Sequence, residues 1–307
     1  MRTISLAREI SLHRSVLYRT LELKQRDLSS LQEQLSTGKQ INRASDDSTG
    51  FARAGKLSAL AGRYGQFQRS IGPAQSWVTN TEDHLAGLSD LFTTAYESGV
   101  QAANDTLGTD EREAIAVSLE STFASILDEA NTRVGDGYLF GGSNTTTKPF
   151  EQDSSGSADG AGITYYGNDS ARSRAVGPDL KLDINTTGES LRDTGKGFTV
   201  FEAVKDLIDA VRSGDSTQIQ SALDDTITAR DHVLGVASAA GETANRLNQA
   251  GDFLTNALVN VENQRSQVED ADISRTIMEL NKTQVGLQAT LQVMSSLQQN
   301  SLLNFLR

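Results

Sequence analysis

The two ends of this chain share a pattern that its middle lacks. Met1 to Thr37 contain neither Gly nor Pro, and Asp252 to Arg307 contain no Pro and a single Gly, Gly286. Twelve of the 26 glycines crowd instead between Gly135 and Gly197. Ends without helix breakers, with apolar residues at three- and four-residue steps, predict terminal helices. A middle rich in Gly, Ser, Asp and Thr predicts turns and short strands. The layout favours an assembling subunit over an enzyme.

The first arm reads Leu17, Leu21, Lys24, Leu28, Leu31, Leu35. The steps run four, three, four, three, four, which is heptad spacing with Lys24 as an interruption. A helix of this arm's length would be about 55 Å long, and Gly38 is placed to stop it. The last arm carries Ile277, Leu280, Leu287, Leu291 and Met294, then Leu302, Phe305 and Leu306, apolar nearly to the end. Together these residues form the predicted assembly seam. A narrow stripe with no second element nearby to cover it suggests arms that become ordered in company. Contacts that include neighbouring subunits are favoured over a helical pair confined to one molecule.

Between the arms, a second helix is expected from Gly72-Pro73, with Trp77, Leu85, Leu88, Phe92 and Ala95 on one face. Gly108-Thr109 should end it. Asp110 with Glu113 resembles a capping box, opening a helix through Ile115, Leu119, Phe123, Ile126, Ala130 and Val134. Ile163–Tyr166 and Leu180–Ile184 alternate as strands do. Helix should resume at Thr199, boxed by Glu202, and end at Gly214. Asp215 then starts another helix, which runs toward Gly235 and Gly241. The fold class expected is mainly α with a β-rich insert.

Composition narrows the function. Apolar residues make up 37 % and aromatics 6 %, with one Trp, which suits elongated helices with narrow stripes better than one large core. The net charge is −12 and the acids are dispersed, so no basic patch invites nucleic acid. There is no Cys, hence no disulfide framework or thiolate chemistry. No apolar run reaches the roughly 18 residues that suggest a membrane span, and the first residues lack a signal-peptide core. The expectation is a cytosolic chain, or one exported without a cleaved signal.

No catalytic, metal or cofactor site emerges. Gly135-x-Gly137-x-x-x-Gly141 misses phosphate-loop spacing and reads as a turn. Asp46-Asp47 and Asp270-x-Asp272 lack further ligands and read as loop or helix-cap acids. His13, His84 and His232 stand apart with no motif linking them.

Two stretches resemble the bacterial flagellin and hook-associated protein family. One is Leu35-Ser36-Thr37-Gly38-Lys39-Gln40-Ile41-Asn42-Arg43-Ala44-Ser45-Asp46-Asp47, and the other is Val268-Glu269-Asp270-Ala271-Asp272-Ile273. Within that family, Gly137-Tyr138-Leu139-Phe140-Gly141-Gly142, without the Arg that often precedes the Tyr, looks like a signature of the hook–filament junction members. The runs Leu280–Leu291 and Ser301–Leu306 also resemble those members.

The resemblance implies a terminal coiled-coil domain (1–44 with 272–307), a helical rod (45–141 with 198–271) and a projecting β-rich insert (142–197). It implies a structural axial protein, outside the cell in the flagellum, with no enzymatic activity and no cofactor. Its implied partners are a ring of its own copies, a hook-side junction protein and flagellin. An export chaperone and the export apparatus would handle it, and no nucleic acid or membrane partner is implied. It also implies interdomain or intersubunit hydrogen bonding for Asp46 and Asp47. A short filament flagellin, or an adhesion module carried by the insert, are the alternatives.

Overall fold

A computed structural model describes residues 2–152 and 158–305, with side chains for 15–152 and 158–296. In chain order the elements are α1 (Arg2–Thr37), α2 (Ser48–Ala102), α3 (Thr109–Ala130), β1 (Arg133–Val134), β2 (Gly137–Tyr138), β3 (Phe150–Gln152) and β4 (Ile163–Tyr165). They continue with β5 (Ser173–Ala175), β6 (Lys181–Asp183), α4 (Gly188–Arg192), α5 (Val200–Ser213), α6 (Ser216–Glu269) and α7 (Ile273–Phe305). The chain is mainly helical with a small β insert, as its periodicity predicts. It divides into two compact units, Met1–Arg63 with Ala257–Arg307, and Tyr64–Asn256.

The second unit holds the main core. Leu85, Leu88 and Phe92 of α2, Leu119 and Ile126 of α3, Leu207 of α5 and Leu247 of α6 are buried there together. Gln68 Nε2 donates to Thr255 Oγ1 at 3.0 Å and Gln75 pairs with Asn248, so α2 and α6 run antiparallel over this stretch. Arg212 of α5 reaches Glu113 at 3.1 Å and Glu120 at 2.9 Å on α3. Those two carboxylates raise its pKa.

Among the described residues, three antiparallel two-stranded ribbons lie between α3 and α4: β1 with β2, β3 with β4 and β5 with β6. Phe150 stands opposite Tyr165, and Arg174 opposite Leu182. Phe150 packs edge-on against Phe201 of α5 at 5.1 Å and tilted against Tyr165 at 5.2 Å. The half-buried Tyr165 hydroxyl lies 3.0 Å from the Phe140 carbonyl and accepts the Gly188 N–H at 3.1 Å. Burial raises its pKa above the ordinary phenol value. The guanidinium of Arg172 lies over the ring of Trp77 at 4.3 Å, tying the insert to α2.

Several boundaries differ from the sequence expectation, each for a packing reason. The second helix starts at Ser48 and passes through Pro73. Gly72 and Pro73 are exposed, while Ile71 and Ala74 on either side are buried, so packing offsets the lost helical bond. The capping box at Asp110 and Glu113 does not form. Gly108 is the N-cap without a side-chain bond, and Asp110 and Glu111 sit in the first turn, where the helix dipole favours them. Val134 leaves that helix for β1. The helix from Ser216 runs past Gly235 and Gly241 to Glu269. Each glycine costs about 1 kcal/mol, less than burial of Val233, Leu247 and Leu254 returns. The box at Thr199 and Glu202 forms in full, and Gly214 caps α5.

Candidate assembly interface

In the terminal unit α7 is the element packed along α1. The six positions read from the first arm, Leu17, Leu21, Lys24, Leu28, Leu31 and Leu35, are all half-buried. Among the described residues of α7 the covered positions are Thr276, Leu280, Thr283, Leu287, Thr290 and Met294, at the same alternation of four and three, together with Gly286 beside Leu287. The seam is therefore Leu-rich on one helix and mixed Thr and Leu on the other. An arm without cover inside its own molecule is not what the structure contains, because α7 supplies that cover.

A hydrogen-bonded root joins the two arms. The Ala271 N–H donates to the Gly38 carbonyl at 2.9 Å, and the Gln40 N–H to the Glu269 carbonyl at 2.7 Å. Lys39 forms an ion pair with Glu269. The end of α1 and the start of α7 meet here, so the arms run antiparallel away from the root. Gly38 has φ +72°, a left-handed turn that L side chains adopt only with strain. It ends α1 and turns the chain toward this contact.

The motif acids have local duties. Asp46 Oδ2 accepts the N–H groups of Asn42 at 3.0 Å and Arg43 at 2.9 Å, closing the loop. Asp47 Oδ1 accepts from Thr49 and Gly50, each at 3.0 Å, capping α2. Asp272 Oδ1 accepts from Arg275 at 3.0 Å, capping α7. The backbone of Asp270 bridges that of Lys39. Ile41 is buried, and a Cβ on Gly50 would meet both its side chain and the Asp47 carboxylate. Asn42 Nδ2 donates to the Lys39 carbonyl at 3.1 Å. Within this chain Asp46 closes the loop and Asp47 caps α2.

The other predicted seam residues divide. Leu280, Leu287 and Met294 lie in the α1–α7 seam. Ile277 and Leu291 lie beside it, 44 % and 48 % exposed. Ile273 is likewise 44 % exposed on this side of α7, and Gln284 and Gln288 separate Ile277 from Leu291 along it. The side chains of Leu302 and Phe305, and Leu306 altogether, fall outside the described residues. Counting only Leu, Ile, Val and Met merged two stripes into one and missed Thr276, Thr283 and Thr290. The regular continuation of the four-three steps through those threonines is the signal that finds them.

Tyr138, Leu139, Phe140, Gly141 and Gly142 lie where the chain enters the insert rather than in the arms. Leu139 and Phe140 are buried in its core. Gly142 has φ +72°, and a Cβ there would sit 1.8 Å from the Asn168 carbonyl oxygen, so this run is a tight turn under the core. His84 Nδ1 lies 2.7 Å from Glu129 Oε1 and His232 Nε2 lies 2.9 Å from the Ser190 carbonyl. Among the described residues no group of His, Cys, Asp and Glu is arranged to hold a metal ion, and no helix is long and apolar enough to cross a membrane.

Both helical regions of the chain match known proteins. The bacterial flagellin N-terminal helical region matches residues 12–145 and the bacterial flagellin C-terminal helical region residues 221–306. Flagellar hook-associated protein 3 of Escherichia coli (strain K12) is 27 % identical over 285 residues, spanning 88 % of this chain and 90 % of that protein. The flagellar filament 30.7 kDa core protein of Treponema maltophilum is 25 % identical over 265 residues, 86 % of each chain. Two solved structures share the fold. The flagellar junction protein FlgL from Legionella pneumophila has a TM-score of 0.61 at 17 % identity, covering 70 % of this chain and 99 % of that one. Bacillus cereus FlgL has a TM-score of 0.57 at 23 % identity, covering 70 % and 98 %. With both helical regions matched in order around the insert, the chain belongs to the family of bacterial flagellins and flagellar hook-associated proteins.

Proposed function

We propose that this chain is a structural subunit of the flagellum that joins the hook to the filament, with copies set side by side in a short ring through their terminal arms. The observation that carries the reading is the flank of Ile273, Ile277 and Leu291, which stays exposed beside an α1–α7 seam already closed within the chain. A second copy covers that flank in the assembly. The end-to-end similarity to a hook-associated protein 3 supports the junction position. Ring contacts of this kind are head-to-tail and need two unlike surfaces. One face of the ring seats on a hook-side junction protein and the other receives flagellin.

The domain division that accompanies this reading has arms (1–44 with 272–307), a rod (45–141 with 198–271) and an outer insert (142–197). The chain travels through the flagellar export apparatus to the outside of the cell, with a chaperone on the C-terminal arm beforehand. It has no catalytic role and needs no cofactor.

Similarity to a filament core protein favours filament flagellin as the second reading. Antibody labelling of intact flagella separates the two. A single band where hook meets filament supports the junction reading, and decoration along the whole filament overturns it. In a strain lacking the gene, the junction reading expects cells without attached filaments and flagellin in the medium.

A further inference from the structure

The covered stripes of α1 and α7 each repeat every seven residues. On α1, Leu21, Leu28 and Leu35 form one set and Leu17, Lys24 and Leu31 the other. On α7 the sets are Thr276, Thr283 and Thr290, and Leu280, Leu287 and Met294. Counted outward from the root, the all-leucine set of α1 falls level with the threonines, and Lys24 falls level with Leu287. A pair built this way does not specify its own register. Slid by one heptad, about 10 Å, it loses a layer at one end and otherwise sets leucine against threonine as before. A lone lysine in a seam can fix register when it has a partner of its own. Lys24 meets a large aliphatic residue in each case, Leu287 or else Leu280 or Met294. Thr276 and Thr290 donate their hydroxyls to the carbonyls of Asp272 and Gly286, each at 2.8 Å, within α7, so these protons mark no register either.

The root belongs to one register only. The Ala271 N–H meets the Gly38 carbonyl there, the Gln40 N–H meets the Glu269 carbonyl, and Gln40 Nε2 donates to the Val268 carbonyl at 3.2 Å. Lys39 pairs with a Glu269 side chain that is 15 % exposed, and Ile41 beside them is buried. A heptad slide breaks all of these contacts. The chain is long enough to permit it, because residues 38–47 lie between α1 and α2 and ten residues reach up to about 33 Å when extended. We propose that the root, and not the seam, sets the register of the arms. It is a clamp, and its release lets α1 and α7 pair one heptad out of step.

The chain has no Cys, so introduced pairs report register without background. Leu28→Cys with Thr283→Cys joins the arms in the register of the structure. Leu28→Cys with Thr276→Cys, or with Thr290→Cys, joins them one heptad out, a separation that no disulfide spans in the native register. Each pair is oxidised in dilute full-length chain and read as a cross-linked monomer on a non-reducing gel. With the root intact only the first pair should close. Gly38→Val with Lys39→Ala releases the root, since valine is strained at φ +72° and the ion pair is gone. The slipped disulfides should then rise several-fold. A released chain that forms only the native disulfide overturns the proposal. So does one that forms neither, because the seam then does not pair unaided. Lys24→Leu with the root intact is the second variant and should leave the register unchanged. Slipped disulfides in any chain with an intact root, with or without Lys24→Leu, overturn the proposal by giving the seam the deciding part.

Discussion

The Asn131 carboxamide holds both backbone polar groups of Phe150, accepting its N–H at 2.9 Å and donating to its carbonyl at 2.9 Å. Asn131 ends α3 and Phe150 opens β3, so one buried side chain fastens the insert to the helix before it. Phe150 is fully buried and packs against both Tyr165 and Phe201. Replacing Asn131 with Ala leaves two buried backbone groups unpaired. The expected loss is about 2–4 kcal/mol of stability in the Tyr64–Asn256 unit, read as a lower urea midpoint.

Asp47 and Asp272 start α2 and α7 on either side of the root. Asp47→Ala and Asp272→Ala should each cost about 0.5–2 kcal/mol locally. Amide exchange at Thr49 and Gly50 should quicken in the first variant, and at Arg275 in the second, with the larger unit unchanged.

Trp77 is the sole Trp of the chain, so its fluorescence reports on one place. Arg172 covers its ring, and burial followed by the nearby charge of Arg174 lowers the Arg172 pKa. Arg172→Ala should shift Trp77 emission to the red and admit a soluble quencher, with a loss of about 1–2 kcal/mol from the lost cation–π contact.

Asp206 of α5 and Asp225 of α6 have raised pKa values, chiefly through desolvation. At Asp206 the next causes are Glu202, Asp209 and Asp225, and at Asp225 the next is Asp224. A carboxyl whose folded pKa exceeds its unfolded value binds more protons when folded. These two groups therefore make the fold more stable as pH falls from their raised values toward 3.8, and less stable above that range. Asp206 is exposed, so the effect is a few tenths of a kcal/mol after solvent screening. Asp206→Asn should raise the melting temperature slightly at neutral pH and flatten its dependence on mild acid.

The arms were the legible part of this chain. Leu17 to Leu35 carry a seam that local spacing alone reveals, because a helix repeats its face every three or four residues. Thr199 with Glu202, and Gly214, were legible for the same reason: caps are local chemistry. The continuity of α2 through Pro73 and of α6 through Gly235 was not legible, since burial against distant residues decides it. Asn131 gave no local sign either, as its partner is Phe150. The flank of Ile277 and Leu291 could be placed on a helix but not on a side of it. Which stripe of α7 faces α1 depends on the root at Gly38 and Ala271, a contact between opposite ends of the sequence.

The proposed junction role requires Ile277 and Leu291 to serve other copies rather than the chain itself. The most direct measurement is filament retention by deletion-strain cells expressing the variant Ile277→Asp, Leu291→Asp, alongside circular dichroism and amide exchange of the purified variant. The expected result is a helical content and arm protection like wild type, with filaments shed into the medium. Cells that keep as many filaments as wild type, with the variant chain present at the flagellum, would contradict it.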